Sequence, residues 1–483
     1  MRRAVAVVLL LGSAGTAVAQ VPVKPPAKVP ARPPARQPAA KPVPKEKTCS
    51  FSVDHIGHMG SQEVVAGDTN YYAGGGVELS CAGTSIHMSS DSLISLQRTG
   101  TVYFIGSVKY RDSLITMDAD RGTYFRNGER WEARGHVVTE NLQNGSTLIG
   151  PSLDYYRAIA GVRDTAEIYA IGRPTIKSVT TDSAGQRGEP YVIVGDRVRI
   201  KGNDRTWAGG KVTINRSDFA AKGDSLLLDS GPGNLGVLIG KPEMRGLGRD
   251  SFTLTGRRIE LTLKQREVDY VKALGNGHAI SSQVDLVADT IGLDLESRAL
   301  AQTLAWGDSI RPKALASDYE IRGDSVAFDT PGQKLQQIRS FQHAWVGGKP
   351  DTNVRVRVDS TAKGKAPKVD SLPRERDWMS GDTVVASFAQ WDSAGTQRTR
   401  LTRLEAAGSA RSYYRVAESK VPGGLPSINY SRGERIAVTM KPAGQRGVER
   451  VDIHGQVDGL YLEPLPVAAP PDSTKPKPAR RGR

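Results

Sequence analysis

The sequence of 483 residues predicts an all-β protein built from repeated antiparallel strands. Three observations predict this class. A six-residue phrase with period-two apolar spacing returns at least seven times, Gly and Asp or Asn punctuate the whole body of the chain, and no segment keeps an apolar helical period beyond two or three turns. We therefore expect more than twenty strands of about 5 to 8 residues. Only two short segments, residues 297–306 and 399–407, favour a helix.

The repeated phrase is a small residue, a polar residue, and then apolar residues three and five places after the first. Because successive strand side chains point to opposite faces, each copy has one apolar and one polar face. The phrase predicts half-buried strands that open at turns, with its Asp in turn chemistry, and its repetition predicts a layered β architecture. The copies are GDRVRI from Gly195, GDSLLL from Gly223, GRRIEL from Gly256, ADTIGL from Ala288, GDSVAF from Gly323, GDTVVA from Gly381 and GERIAV from Gly433, with looser ones at Asp91, Asp112 and Ala119.

A second phrase places Gly at the head of another alternating strand. It occurs as ARGHVVTEN from Ala133, AGGKVTIN from Ala208, ALGNGHAIS from Ala273 and AAGSARSYY from Ala406. Gly inside a strand costs stability, so its repeated use predicts bends or close backbone approach, as at the corners of rolled sheets.

The two ends of the chain have their own composition. Residues 1–19 have the order of a secretory signal peptide, with Arg2 and Arg3, an apolar run and an Ala-x-Ala end, so we expect cleavage after Ala19 and export to the periplasm of a bacterium. The apolar run is too short for a transmembrane segment, and no later one is longer. Residues 20–47, rich in Pro, Ala and Lys, predict a semi-rigid tether, and residues 466–483 a basic Pro-rich tail. Both tails are expected to be disordered.

The net charge of +15 is concentrated at the ends of the chain. The signal peptide carries +2, the tether +6 and the C-terminal tail +4, which leaves +3 for the residues between them. Composition therefore does not demand a basic patch on the fold, and we expect no nucleic-acid partner. The tails either lean on anionic surfaces such as lipid head groups, as an outer-membrane-associated protein would, or act as solvated spacers.

The only two cysteines, Cys49 and Cys81, follow the tether. In an exported protein the first interpretation is a disulfide that closes the 31 residues between them, with a stabilisation of about 3 kcal/mol in the loop-entropy picture. The alternative is a metal site, because His55, His58 and His87 are near in sequence, although Cys-x5-His-x2-His is not a familiar zinc spacing.

Polar interruptions divide the body into three predicted β blocks, residues 48–179, 190–348 and 378–465. Residues 180–190 separate the first two blocks, and residues 349–377 read as a polar linker or long loop.

The segment from Ala119 to Ile176 contains a recurring set of strand and turn residues. They are Asp120 with Tyr124, Gly135-His136-Val137, Gly150 with Leu153, Tyr155 and Tyr156, and Gly172-Arg173-Pro174, and residues 223–242 and 256–280 echo them more weakly. On these residues the segment resembles the OstA/LptA-like family of periplasmic lipopolysaccharide-transport proteins, which includes the N-terminal domain of the outer-membrane translocon. His136 departs from the Asn usual in the family. The resemblance implies a twisted β-jellyroll of two sheets, an open roll whose apolar interior takes the acyl chains of lipid A, and β-strand addition with other envelope transport proteins in outer-membrane assembly.

The residues on the inward face of these strands are the candidate lipid-binding set, although the same residue types also make a closed core. In the first block the candidates are Val102, Phe104, Ile115, Met117, Trp131, Val137, Leu153 and Tyr155. In the second they are Val198, Ile200, Leu226, Leu228, Ile259, Leu261, Ile291, Leu293, Val326 and Phe328.

The sequence carries none of the familiar catalytic or cofactor-binding patterns. The sequence has no Gly-x-Ser-x-Gly elbow, no HExxH helix and no phosphate-binding Gly loop, so we expect neither an enzyme nor a cofactor. Asp118 and Asp120 would share a strand face and could hold calcium, but turn capping is the preferred interpretation. Two hypotheses remain. The protein binds and transfers lipopolysaccharide or a similar glycolipid, or it is a structural β-repeat protein of the cell envelope with a fully packed interior.

Overall fold

The computed structural model describes residues 49–179, 188–231, 234–247, 251–264, 267–296, 298–316, 319–348, 376–393, 396–416, 427–443, 445 and 447–463. These residues form 29 β-strands and two short 3-10 helices, with no α-helix among them. The predicted signal peptide, tether and C-terminal tail lie outside the described residues, as does nearly all of the linker predicted at 349–377.

The first fifteen strands lead from the disulfide region to the middle of the chain. They are β1 (Phe51–Val65), β2 (Asp68–Cys81), β3 (His87–Leu96), β4 (Thr101–Arg111), β5 (Ile115–Phe125), β6 (Arg130–Asn141), β7 (Thr147–Tyr156), β8 (Glu167–Ile171), β9 (Thr175–Ser178), β10 (Tyr191–Val194), β11 (Arg197–Lys201), β12 (Arg205–Asn215), β13 (Phe219–Asp229), β14 (Leu235–Ile239) and β15 (Glu243–Gly246).

The remaining strands complete the described chain. They are β16 (Phe252–Thr255), β17 (Arg258–Lys264), β18 (Glu267–Ser281), β19 (Val284–Glu296), β20 (Ala299–Trp306), β21 (Lys313–Ala316), β22 (Tyr319–Arg322), β23 (Ser325–Asp329), β24 (Gln337–Gly348), β25 (Trp378–Ser393), β26 (Thr396–Val416), β27 (Ser427–Met440), β28 (Val448–His454) and β29 (Asp458–Leu462). The 3-10 turns are Arg126–Gly128 and Pro331–Gln333.

The predicted all-β class is confirmed, and the two helical segments are wrong. Residues 299–306 form β20, and residues 399–407 lie inside β26. Both strands have hydrogen-bonded neighbours on each side, and this pairing outweighs a weak local helical preference. Strands are also longer than expected, up to 21 residues in β26, because a long strand crosses two sheet halves.

All the strands belong to one antiparallel sheet that is folded into two facing halves. The strands β1 to β7 each contribute one end to half-sheet A and the other end to half-sheet B. Half-sheet A continues through β8, β11, β12, β13, β14, β17, β18, β19, β20, β23, β24, β25, β26, β27 and β28. Half-sheet B continues through β9, β10, β12, β13, β15, β16, β18, β19, β21, β22, β24, β25, β26, β27 and β29.

The seven close copies of the repeated phrase mark the places where the chain crosses from half-sheet B to half-sheet A, whereas the looser copy at Asp112 lies in the β4–β5 hairpin. In β13, β19, β25 and β27 the phrase lies inside the strand, so the prediction that it opens a strand at a turn is wrong there. Its first residue is small because the neighbouring backbone is close. A Cβ on Gly223 would lie 2.9 Å from the Ile239 carbonyl oxygen, and one on Gly381 would lie 2.9 Å from that of Ala407.

The second phrase supplies the return crossing in the adjacent strands. Gly135 and His136 have φ values of 73° and 36°, and the β5–β6 and β6–β7 ladders shift register beside them. Asp120, the polar residue of a phrase copy, packs on Gly135, and its Oδ2 lies 2.8 Å from His136 Nδ1. The predicted bends at these glycines are therefore present, and they form the folded edge of the roll.

The inner faces of the two half-sheets pack directly against each other. The ring of Tyr110, in half-sheet B, lies 5.0 Å from the Trp131 ring and 5.9 Å from the Tyr155 ring, both in half-sheet A. The apolar positions of the phrase face this interior, as in Ile291 and Leu293 of β19. One hydrophobic core runs without a break from Cys49 to Ile436.

The strand ladders continue across the predicted block boundaries. Strand β9 pairs with β10 across the first boundary, and β24 pairs with β25 across the second. The described residues therefore form one continuous roll, whose folded edge carries the crossings and whose opposite side carries the hairpins of both half-sheets. We call this opposite side the seam.

Candidate functional site

The candidate lipid-binding residues all lie on the inner faces of the roll. Ile200 and Leu228 are half-buried against the core. The others are at most 3% exposed, and they are Val102, Phe104, Ile115, Met117, Trp131, Val137, Leu153, Tyr155, Val198, Leu226, Ile259, Leu261, Ile291, Leu293, Val326 and Phe328.

In the first seven strands the interior is filled by aromatic rings. Trp131 lies at the centre, with the Phe104 ring at 5.0 Å and the Tyr124 ring at 6.2 Å. Gly122 provides space for the indole, because a Cβ there would lie 2.5 Å from Trp131 Cζ2. This part of the roll has a packed interior.

A buried ionic clasp closes the seam over this aromatic cluster. The clasp consists of Arg157 and Glu129, from half-sheet A hairpins, and Asp112, from a half-sheet B hairpin. Arg157 Nη1 lies 2.6 Å from Glu129 Oε2, and its Nε lies 3.8 Å from Asp112 Oδ2. These three side chains are 2–6% exposed. Breaking such a buried pair by removing one partner costs about 3–5 kcal/mol, because it leaves an uncompensated charge.

Three tyrosine hydroxyls also donate to the carboxylates of the clasp, and the first is Tyr110, which donates to Asp112 Oδ2 over 2.9 Å. Tyr124 donates to Glu129 Oε2 over 2.7 Å, and Tyr155 donates to Asp112 Oδ2 over 2.7 Å. The Cys49 N–H donates to Glu129 Oε1 over 2.9 Å. Burial, followed by the Glu129 charge, raises the pKa of Tyr124 well above its ordinary value, so its hydroxyl stays a donor.

The structure joins Cys49 to Cys81 in a disulfide, with the Cα atoms 5.0 Å apart. The bond fixes the start of the described chain beside the β2–β3 hairpin. It therefore holds the Cys49 amide where it meets Glu129 across the seam. Among the described residues, no group of three or more His, Cys, Asp or Glu could hold a metal ion.

Beyond the clasp the described contacts across the seam are weaker. Asn141 Nδ2 donates to Asn203 Oδ1 over 2.9 Å at an exposed position. Arg298 Nη1 lies 3.9 Å from Glu189 Oε2, and both side chains are more than a third exposed. An exposed pair of this kind contributes about 0–1 kcal/mol. Separating the half-sheets therefore costs less in polar contacts here than over the first seven strands.

An apolar cleft follows the seam in this weaker region. Its first part encloses about 50 Å³. One wall comes from half-sheet B, from β10, β12 and the beginning of β13, and the other comes from half-sheet A, from the end of β13, β17 and β18. Its second part encloses about 30 Å³, and Phe219 and Val268 line both parts, so the two are adjacent along the seam. The apolar residues of the first part are Val179, Tyr191, Ile193, Ile214, Phe219, Leu226, Leu228, Leu261, Leu263 and Val268.

Two arginines from opposite half-sheets flank the second part of the cleft. The Arg216 side chain is buried and forms an ion pair with Asp218. Its guanidinium carbon lies 4.6 Å from the centre of the Tyr191 ring and 5.1 Å from the centre of the Phe219 ring. Burial, and to a smaller extent the Arg298 charge, lower the pKa of Arg216. The hydrogen bonds to Asp218 and the electrostatic interaction with Tyr191 outweigh these effects, so the pKa of Arg216 lies above its ordinary value. Because a guanidinium group keeps its proton in proteins, both arginines carry a positive charge beside the cleft.

The candidate residues divide between these two regions. Leu226, Leu228 and Leu261 line the cleft, whereas Phe104, Trp131, Tyr155 and their neighbours lie beneath the clasp. Seven apolar residues of the cleft are absent from the predicted set, namely Val179, Tyr191, Ile193, Ile214, Phe219, Leu263 and Val268. Ile214 and Leu263 continue the same period-two alternation and could have been found, but the cleft itself depends on which hairpins meet across the seam.

Both ends of the roll expose strands that pair on one side only in the described chain. Strand β1 pairs with β2, and β28 and β29 pair with β27. Val53 and Met59, which lie on the inward face of β1, are 58% and 65% exposed. The apolar inner row therefore reaches the end of the roll uncovered. No helix in the described chain is long and apolar enough to cross a bilayer.

Comparisons with known proteins give one kind of likeness. No protein-family model and no curated protein matches the chain. Among solved structures, the chain is similar to LptH from Pseudomonas aeruginosa, the LptA-homologous periplasmic component of a lipopolysaccharide transport device, at 12% identity and a TM-score of 0.24. The match covers 27% of this chain and 96% of that one.

Proposed function

We propose that this protein binds lipopolysaccharide or a related glycolipid in the periplasm and transfers it during outer-membrane assembly, without acting as an enzyme. The observation that carries the proposal is the pair of facing half-sheets, whose apolar inner row runs from β1 to β28 through one core. An acyl chain in water costs about 0.8 kcal/mol per methylene, so a twelve-carbon chain costs roughly 10 kcal/mol. An apolar interior offsets that cost.

The ends of the roll support a transfer role. An unpaired strand edge presents N–H and C=O groups to another strand, and many proteins bind by adding one. The exposed inward side chains of β1, Val53 and Met59, would be covered by a partner whose apolar row continues this one. We infer that other envelope transport proteins dock at these edges, in line with the resemblance of residues 119–176.

The beginning of the sequence supports the location. The arrangement of Arg2 and Arg3, the apolar run and Ala17-Val18-Ala19 is that of an export signal. The Cys49–Cys81 disulfide suits an oxidising compartment.

The alternative is a structural envelope protein whose interior never opens. The small cleft favours it, because about 50 Å³ is room for a few water molecules rather than for an acyl chain. Lipid binding in this cleft therefore requires the half-sheets to separate along the seam.

Photocrosslinking distinguishes the two functions. Benzoylphenylalanine is placed at the inward Phe104, Leu153 or Leu226 of the mature protein, Gln20 to Arg483, and at the outward neighbours Tyr103, Asp154 and Leu227 as controls. Irradiation with lipopolysaccharide is expected to give adducts from at least one inward position and from no outward one. A cooperatively folded protein that gives no adduct at any position contradicts lipid binding and favours the structural function.

A further inference from the structure

Resting on the proposed function, we propose that an acyl chain of an anionic lipid enters the roll through the seam cleft, and that Arg216 and Arg298 hold the anionic group of that lipid at the mouth. The site belongs to the middle strands, from β9 to β20. It is distinct from the aromatic interior of the first seven strands.

The lining of the cleft suits a single flexible chain. Its walls come from both half-sheets, and Phe219 and Val268 line both of its adjacent parts. A modest separation of the hairpins would lengthen this crevice without rebuilding the strands. A peptide would bury unsatisfied backbone N–H and C=O groups against these apolar side chains, whereas an acyl chain has none to satisfy.

The charges at the mouth indicate the head group. Arg216 and Arg298 approach the cleft from opposite half-sheets, so two like charges face each other across the seam. Asp218 pairs with Arg216, and Glu189 Oε2 lies 3.9 Å from Arg298 Nη1. An anion between the guanidinium groups would relieve the repulsion with charge-assisted hydrogen bonds, which arginine makes to phosphate and carboxylate.

The rest of the described seam explains why the middle strands are the entry. The first seven strands are closed by the buried Asp112–Arg157–Glu129 clasp. Over the cleft, the described polar contacts across the seam lie at exposed positions, as where Asn203 meets Asn141 and Gln143. The half-sheets therefore separate most easily where the apolar lining and the two arginines already lie.

Three probes separate the tail from the head group: dodecyl phosphate, dodecyl maltoside with the same tail and no charge, and inorganic phosphate. Arg298→Gln is expected to weaken binding of dodecyl phosphate about tenfold, the effect of one lost charge-assisted contact, and to leave dodecyl maltoside unchanged. Leu228→Trp fills the cleft from a half-buried position. It is expected to weaken the binding of both amphiphiles by at least the same factor as Arg298→Gln weakens that of dodecyl phosphate. Inorganic phosphate is expected to compete poorly.

Matched controls lie on the same half-sheet. Arg205→Gln removes an arginine that is 54% exposed and paired with Asp229, and Leu227→Trp adds the same ring on the outward side of β13; neither is expected to change binding. Urea unfolding of each variant checks that it is folded.

The outcomes separate this inference from the function it rests on. If Leu228→Trp binds both amphiphiles normally while lipopolysaccharide crosslinks to Leu153 or Phe104, the protein binds lipid but the entry site is wrong. If inorganic phosphate competes as well as dodecyl phosphate and Leu228→Trp has no effect, the arginines form an anion site only, which also overturns the inference. If neither amphiphile nor lipopolysaccharide binds, the proposed function itself fails.

Discussion

At the scale of single residues, the crossing between half-sheets depends on a glycine that no other residue replaces without strain. Gly135 has φ 73°, in the left-handed region, and it lies under the carboxylate of Asp120. A Cβ at this position would lie 2.3 Å from Asp120 Oδ2. Both the backbone conformation and the available space therefore select glycine.

Gly135→Ala is expected to lower the free energy of unfolding by about 1–3 kcal/mol, because it adds a strained backbone conformation and a contact that Asp120 must relieve. Urea denaturation of the purified protein measures the change. Gly60→Ala is the control, since Gly60 has no positive φ and a Cβ there would meet no atom within 4 Å. Equal effects of the two substitutions would contradict the role assigned to the crossing.

The sequence predicts which side chains face inward. It does not predict why the repeated phrase begins with a small residue followed by an acidic one. The +3 and +5 positions of the phrase follow from strand alternation alone, as Ile291 and Leu293 illustrate. The role of Asp120 depends on a residue 15 positions later, whose left-handed backbone becomes its neighbour only after β5 and β6 pair. Turn chemistry was therefore the nearest local explanation.

At the scale of strands, ion pairs on the outer faces connect neighbouring segments of each half-sheet. Glu320 of β22 contacts Arg322 on its own strand, Lys313 of β21 at 3.5 Å and Arg376 just before β25 at 2.5 Å. The Glu320 side chain is only 4% exposed beneath these bases. Burial alone raises the pKa of Glu320, but the hydrogen bonds from Arg376 and Arg322 outweigh it, so the pKa lies below its ordinary value.

Glu320→Gln is expected to destabilise the protein by about 2 kcal/mol at pH 7, since hydrogen bonds to a charged group contribute about 1.5–3 kcal/mol. A lowered folded-state pKa stabilises the fold above the unfolded pKa of 4.5, and this stabilisation is lost as the pH falls through the folded value. The difference between the native protein and the variant should therefore shrink below about pH 4.5.

Urea unfolding of both proteins between pH 7 and pH 3 measures this difference. Glu78→Gln, at an exposed position of β2, is the control and is expected to have a small effect at every pH. If Glu320→Gln lowers the free energy of unfolding by the same amount from pH 7 down to pH 3, packing rather than the carboxylate charge stabilises this contact.

At the scale of the whole molecule, each strand contacts mainly its neighbours, yet the roll has one core. The all-β class and the inward face could be predicted because they repeat locally. The closure of the seam could not, because Asp112, Glu129 and Arg157 come from three separate hairpins that only the finished roll brings together. For the same reason the polar interruptions resembled block boundaries, while the ladders pass across them.

Continuity across the second boundary predicts that cutting the chain there leaves the roll intact. A protease site inserted within residues 349–375 would, once cleaved, leave fragments joined by the β24–β25 ladder, from Gly347 opposite Trp378 to Gln337 opposite Ser387. Val346, Met379 and Val384 are at most 2% exposed at this junction, so separation would expose apolar core to water. The cleaved protein is expected to elute as one species in size-exclusion chromatography.

A variant at the junction provides the sharper test. Val384→Asp places a charge in the core between β24 and β26, and such a buried unpaired charge costs several kcal/mol. In the uncleaved chain the covalent connection keeps the two parts together, so release of the C-terminal fragment is expected only when this variant is also cut. As a check that cleavage is complete, the cleaved native-sequence protein is run in denaturant, where its two fragments must elute separately. If the cut native-sequence protein separates without denaturant, β25 to β29 form an independent domain, and the block boundary inferred from composition is a physical one.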